Sequence, residues 1–275
     1  MRNVIGFLKK NPIITGAIGL VVAIVAIKIL PRDSIGKIAL IRIVLTMAMS
    51  MFVYLISGEK SFEKCHTTTG YVVRWGLLTI IPELILLLGI IYALIAGEVT
   101  AAAGWPLRFL FTVIATVFVG LFEELTFRVM IGDALLYGFR KNKHIFIWIA
   151  VISSLVFGVV HVLGPNMFAP QAIAGTILKT LSCGLGGLCW LILYWKTRNI
   201  WGIALVHALC DFGSFIQSAV SGGVSNLGGA ENYSEAGAIG NGVYAFQIVC
   251  CLVAVIILWM KVGKTIDFEE IRREW

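Results

Sequence analysis

The chain has 275 residues, of which 59% are hydrophobic and only 13% charged, about half the charge of an ordinary soluble domain. That composition excludes a soluble globular enzyme and fits an all-α, polytopic membrane protein. The net charge of +7 does not point to nucleic acid, because no Lys/Arg cluster interleaved with aromatic residues occurs. In a membrane protein such a surplus reflects loops on one side and contact with anionic lipid. The six cysteines, Cys65, Cys183, Cys189, Cys210, Cys250 and Cys251, contain no C-x-x-C pair. Five lie in apolar segments, where a thiol behaves as a small buried hydrophobe.

The N-terminus places Arg2, Lys9 and Lys10 before an apolar run, as a signal peptide does. Lys28-Ile-Leu-Pro-Arg32 follows with no small-x-small cleavage site, so the run reads as an uncleaved first membrane helix. Eight apolar spans can be drawn, at roughly 12–30, 38–57, 72–96, 107–136, 145–163, 171–195, 200–217 and 240–260, each long enough for a hydrocarbon core. Pro82 beside Glu83 predicts a kink in the third span. The fourth is long, which predicts a tilt or a break near Gly132. Two loops stand out, 164–170 and the Gly/Ser/Asn-rich 218–241, the second expected to be mobile. The charged tail from Lys261 to Trp275 is expected at the cytoplasmic surface. No repeat or second domain is visible, so residues 1–275 form a single integral membrane domain with a motif-bearing core at 107–217.

The positive-inside rule orients the spans. With a cytoplasmic N-terminus, fifteen Lys and Arg fall in inside segments. Five fall outside: Lys28, Arg32, Lys37, Arg42 and Arg108. Both termini are therefore expected in the cytoplasm, with the protein in the plasma membrane if the cell is prokaryotic.

Ionisable groups in hydrocarbon cost several kcal/mol unless they are paired or face a wet cavity, so those inside the spans carry the most information. Leu121-Phe-Glu-Glu-Leu-Thr-Phe-Arg128 holds two adjacent carboxylates and an arginine. Glu124 and Arg128 share a helix face and can neutralise each other. Glu123 points about 100° away and meets Phe127, not a cation, one turn on. His161 ends Phe157-Gly-Val-Val-His161, and His207 stands one turn before Asp211. His66 and His144 lie in charged loops and read as solvated. Three spans thus contribute ionisable groups, and convergence on a polar intramembrane cavity is the way they avoid lipid. A carboxylate with an imidazole can position a water and take its proton. A second His and an Asp can stabilise an oxyanion or hold a metal, and two His with two carboxylates also suit zinc. Either arrangement suits amide hydrolysis. A proton-coupled transporter could use the same buried charges as a relay, although no repeat-related broken helices are found.

Glu123-Glu124-x-x-x-Arg128, Phe157-x-x-x-His161 and His207-x-x-x-Asp211, in this order and on separate spans, resemble the signature of the CAAX protease and bacteriocin-processing (Abi) family of intramembrane endopeptidases. The resemblance covers residues 121–211. It implies that Glu123 and His161 activate water, that His207 and Asp211 support the oxyanion, and that Glu124, Arg128 and Phe157 brace the site. Asp211 departs from the Asn typical of the prenyl-protease branch, and an ionised Asp cannot donate to an oxyanion. A protonated Asp211 can donate, or the side chain can instead orient His207 or bind a metal. No cofactor is preferred. Zinc is the alternative, held by Glu123, His161, His207 and Asp211. The expected partners are a lipidated or leader peptide as substrate and membrane lipid, with no nucleic acid. A non-catalytic Abi-type immunity or chaperone protein is the remaining alternative within the resemblance.

Overall fold

The computed structural model describes residues 2–30, 34–63, 65–164, 167–222 and 237–274. Residues 165–166 of the first expected loop and 223–236 of the second lie outside them. Among the described residues there are helices and no strand. In chain order they are α1 (Arg2–Lys10), α2 (Pro12–Ile29), α3 (Ile35–Ser57), α4 (Lys60–Glu63), α5 (Thr69–Gly76), α6 (Ile81–Ile95) and α7 (Trp105–Glu124). A π-helical segment, Leu125–Asp133, continues α7 into α8 (Ala134–Phe139). Then follow α9 (Ile145–Val160), α10 (Ile173–Thr197), α11 (Ile200–Ser221), α12 (Gly237–Lys261) and α13 (Phe268–Glu274).

Each of the eight spans drawn from the sequence is helical. Five helical stretches are long and apolar enough to cross a membrane unaided: 12–29, 35–57, 105–139, 173–197 and 240–265. The third span is a broken one. Thr69–Thr79 and Ile81–Ile95 meet at 73° just before Pro82, where proline restricts the preceding residue and starts a new helix. Two apolar helices are shorter, Ile145–Val160 and Ile200–Gly213. The outer surface is apolar, as lipid requires. On α3, Leu40, Val44, Met47, Met51 and Tyr54 form an exposed stripe, while Ile38, Arg42, Leu45, Met49 and Val53 face inward. The chain is an integral, multi-pass, all-α membrane protein.

The fourth span does not break near Gly132. It runs continuously from Trp105 to Phe139 and changes its winding at the residue after the glutamate pair. A π-segment adds a residue per turn and so re-aims the side chains beyond it, and such segments cluster at functional sites. All nine of its residues are buried.

One end of the bundle is closed by polar side chains. Thr197, Arg198 and Asn199, between α10 and α11, are all buried. Arg198 donates Nη1 and Nη2 to Asp133 Oδ1 and Oδ2 at 2.9 and 2.8 Å, and Tyr194 Oη donates to the same Oδ2 at 2.8 Å. Arg198 adopts a left-handed φ of 47°, uncommon for a side chain of this size; the bidentate pair is what holds it there. The connection is thereby drawn inward to the level of Asp133, well short of Phe139. α11 starts recessed, and His207, about two turns along it, reaches the depth of Glu124. From span boundaries alone, His161 and His207 lie at different depths; the recessed start of α11 removes that conflict.

The C-terminal tail packs onto this end. Phe268 packs against Phe146 in a tilted contact and edge-on against Trp195, with centroids 4.5 and 5.7 Å away. Lys196 Nζ donates to Thr265 O at 2.8 Å. His66, expected to be solvated, is half-buried, and its Nε2 pairs with Glu274 Oε1 at 3.2 Å. His144 is exposed, as expected. The loop after α3, the α10–α11 connection and the tail are segments that the charge distribution places on one side, and they meet here. At the opposite end, Lys28 donates to Leu163 O and Arg108 Nε to Ala219 O at 3.1 Å.

Candidate active site

α7 brings the two glutamates to the centre of the bundle. Close approach of α7 and α11 depends on Gly120, since a Cβ there would stand 2.6 Å from Ala204 O. One turn further on, Glu124 faces His207. The Glu124 carboxylate is filled. Arg128 Nε donates to Oε2 at 2.7 Å and Arg128 Nη2 to Oε1 at 3.2 Å. His207 Nδ1 lies 2.8 Å from Oε1. Both partners of the Glu124–Arg128 pair have 0% side-chain exposure. The forked, charge-assisted contact of Arg128 is made within its own helix. Its reach to α9 is one bond, Nη1 to Ser153 Oγ at 3.4 Å, and Ser153 in turn donates to Phe127 O at 3.2 Å.

Glu123 has a different setting. Its Oε2 is 3.4 Å from His161 Nε2 and 3.6 Å from His207 Nε2. Both are longer than a normal N–H···O bond, and among the described residues this buried oxygen has no hydrogen-bond partner. His161 caps α9 and sets its Nδ1 2.7 Å from Phe157 O. A carbonyl only accepts, so Nδ1 carries the hydrogen and Nε2 faces Glu123. The same logic applies to His207, whose Nδ1 must donate to the Arg-paired carboxylate of Glu124. Both imidazoles thus present Nε2 to one carboxylate oxygen. Asp211 Oδ2 lies 3.8 Å from His207 Nε2, beyond hydrogen-bond reach.

The aromatic packing fixes these rings. Phe157, fully buried, has ring centroids 4.5 Å from His161 and 5.8 Å from His207, and the Arg128 guanidinium carbon lies 5.3 Å from its centroid. Trp190 stacks on His207 at 4.1 Å and 29°, and its Nε1 donates to Thr79 Oγ1 at 3.1 Å. Exposure is graded across the site. Glu124 and Arg128 are sealed and His207 retains 3%, whereas Glu123, Asp211 and His161 keep 12, 23 and 26% of their side chains accessible. The approach is from the Glu123–His161–Asp211 side.

The donor types suit zinc, and an imidazole whose Nδ1 hydrogen is held by a carboxylate or a carbonyl is common at metal sites. Their placement does not fit it. Among the described residues, no group of three or more His, Cys, Asp or Glu side chains is arranged to hold an ion.

The residues singled out from the sequence are brought together: Glu123, Glu124, Arg128, Phe157, His161 and His207 are in mutual contact, with Asp211 at their margin. Three features are not legible in the motifs. Arg42 is no loop cation. It is buried in α3 with its guanidinium carbon 5.4 Å from the Phe122 ring centroid. An arginine within an apolar span is the same signal that marks Glu123; counting Arg42 with the outside charges, although it lies within the span drawn at 38–57, hides it. Asp133 ends Met130-Ile131-Gly132-Asp133, which lacks the first Gly of a Gly-x-Gly-Asp motif, and so gives no signal of its own. Trp190 leaves no sequence signal, because an aromatic residue in an apolar span is unremarkable.

Residues 104–213 match the family model described as Rce1-like, Type II CAAX prenyl endopeptidase Rce1-like. No curated protein and no solved structure matches the chain. The matched stretch contains both glutamates, Arg128, both site histidines and Asp211. Over residues 104–213 this membrane protein is thus similar to the Rce1-like type II CAAX prenyl endopeptidases, in keeping with the resemblance carried by its motifs.

Proposed function

We propose that the protein is an intramembrane endopeptidase in which Glu123 and His161 activate a water that attacks a peptide carbonyl, with His207 stabilising the oxyanion. The observation that carries this reading is the buried Glu123 Oε2, without a hydrogen bond and flanked by two imidazole Nε2 atoms at 3.4 and 3.6 Å. A water beside that oxygen can give one proton to Glu123, with His161 Nε2 positioned to share it. The water oxygen then bonds to the carbonyl carbon and the C=O electron pair moves to oxygen. His207 has already used its Nδ1 hydrogen on Glu124. Its Nε2 therefore donates to the oxyanion as imidazolium, a charge that Glu124 and Asp211 favour. Collapse of the tetrahedral species breaks the C–N bond, and the proton held by Glu123 and His161 leaves with the amine. No step is routed through a metal, and a metal-free glutamate mechanism is the reading we prefer.

The substrate class follows from the setting. A site inside a lipid-facing bundle suits a membrane-associated peptide, lipidated or leader-bearing, with both termini of the enzyme cytoplasmic. The test is cleavage of a farnesylated CAAX-terminated peptide and of an unlipidated leader peptide by pure protein, wild type against Glu123→Gln. General acid–base help is worth ~100- to 10,000-fold, so Glu123→Gln should lose cleavage by that order and keep its melting temperature. Undiminished cleavage by Glu123→Gln ends the proposal.

A further inference from the structure

Thr79 stands at the break in the third span, outside the family match and outside every motif, and it is buried. Both sides of the break follow α11. Before it, a Cβ on Gly76 would stand 2.5 Å from Val206 Cγ2; beyond it, a Cβ on Gly213 would stand 2.7 Å from Glu83 Cβ. Between these two close approaches Thr79 O accepts from Cys210 Sγ at 3.9 Å. Thr79 is thereby fixed to the helix that carries His207. The chain leaves the α-helical pattern here. Leu77–Thr79 is a 3-10 turn, and Thr79 Oγ1 donates to Gly76 O at 2.7 Å. With its one hydrogen used, the hydroxyl has only lone pairs to offer. Trp190 Nε1, from α10, donates into them at 3.1 Å. An indole N–H is a donor only and needs an acceptor when buried; among the described residues, Thr79 Oγ1 is the one it has. The indole held in this way lies on His207, with centroids 4.1 Å apart and planes 29° from parallel, and meets Phe157 edge-on at 5.9 Å. His207 is bonded at Nδ1 to Glu124 at 2.8 Å, and a single bond does not fix the plane of a ring. The stacked indole does. That plane decides where Nε2 points, and Nε2 stands 3.6 Å from Glu123 Oε2.

We propose that Thr79 is a positioning residue: its hydroxyl fixes the indole of Trp190 and, through that indole, the plane of the His207 ring. The kinetic consequence rests on the endopeptidase reading; the geometric one does not. The experiment uses the full-length protein in detergent. Thr79→Val keeps the shape and loses the hydroxyl, Thr79→Ser restores the hydroxyl, and Trp190→Phe keeps an aromatic face without an N–H. Wild type, these three variants and Thr79→Val combined with Trp190→Phe are assayed on the farnesylated CAAX peptide. Thr79→Val should lower kcat by about ten- to 100-fold with KM little changed, the range for a reacting group misplaced by up to about 1 Å. Thr79→Ser should stay close to wild type. In the Trp190→Phe background, Thr79→Val should cost little more, because the bond it breaks is already gone. A second readout needs no substrate. The ring protons of His207, assigned in the NMR spectrum by their loss in His207→Ala, should carry an upfield shift from the stacked indole. They should lose it in Thr79→Val and keep it in Thr79→Ser. Wild-type kcat in Thr79→Val, a loss confined to KM, an equal further loss in the Trp190→Phe background, or unmoved His207 ring protons each overturns the proposal. If Thr79→Val does not fold, Thr79→Ala, read in the same way, decides. If the wild type cleaves nothing, the endopeptidase reading fails by itself, and the ring protons still decide the role of Thr79.

Discussion

Glu124 and Glu123 are adjacent on α7, and their surroundings differ in kind. The Glu124 carboxylate is held by two N–H groups of Arg128 and by His207 Nδ1, with no exposed surface. Glu123 keeps a buried oxygen without a hydrogen bond and an accessible edge. A filled carboxylate can fix geometry and do little else, whereas one left partly unsatisfied has free-energy reason to bind a water and take its proton. The two halves depend on each other. Glu124 fixes the tautomer of His207, and the fixed tautomer aims Nε2 at Glu123.

The sharpest way to break this comparison is on the open side. His161→Ala and His207→Ala should each reduce cleavage of the farnesylated peptide by about 100-fold or more, the range for a lost general acid–base group or oxyanion donor. His161→Ala, at the exposed edge, should melt like wild type. His207→Ala, which removes the stacking partner of Trp190, should melt lower. Equal activity of either variant to wild type would remove the distinction between the halves.

On the closed side the expected loss is of stability. Arg128→Ala leaves a buried carboxylate without its cation, a change that typically costs ~3–5 kcal/mol. Low yield and a depressed melting temperature are expected, with activity falling in proportion to folded protein. A stable, folded and inactive Arg128→Ala would move Arg128 into the chemistry.

Asp133→Asn tests the recessed start of α11. It weakens the clamp on Arg198 by one charge, and a lower melting temperature worth about 1–3 kcal/mol is expected. The folded fraction should show reduced kcat, because His207 loses its depth register. Unchanged kcat would show that His207 is placed by Glu124 and Trp190 alone.

The smallest effect should come from Asp211→Asn. At 3.8 Å from His207 Nε2 the carboxylate is a neighbour and not a bonded partner, so activity should stay within a few-fold of wild type. Chelator treatment and metal analysis of the pure protein complete the test. Loss of activity in Asp211→Asn together with bound zinc removed by chelator would replace the water-activating pair with a metal site.

Much of the site is legible before folding, for one reason: charges in apolar segments are costly and must find one another. That rule picks out Glu123, Glu124, Arg128, His161, His207 and Asp211, and helical periodicity pairs Glu124 with Arg128. It fails for Arg42, which lies within the drawn span 38–57 but is counted with the loop charges, and for Arg198, because a cation between two spans is indistinguishable from a solvated loop residue until the helix ends are known. The 3.6-residue period also fails from Leu125 onward, where π-winding replaces it.

By itself the sequence determined the membrane class, the helical spans, the kink before Pro82 and the set of groups that cannot face lipid, since each follows from local composition and spacing. Only the tertiary structure decided which histidine nitrogen faces Glu123, which carboxylate is sealed, and how deep α11 begins. Those depend on contacts between helices distant in sequence. The Asp133–Arg198 clamp, the Gly120 approach and the Trp190 stack set distances of a few ångströms that no single segment encodes.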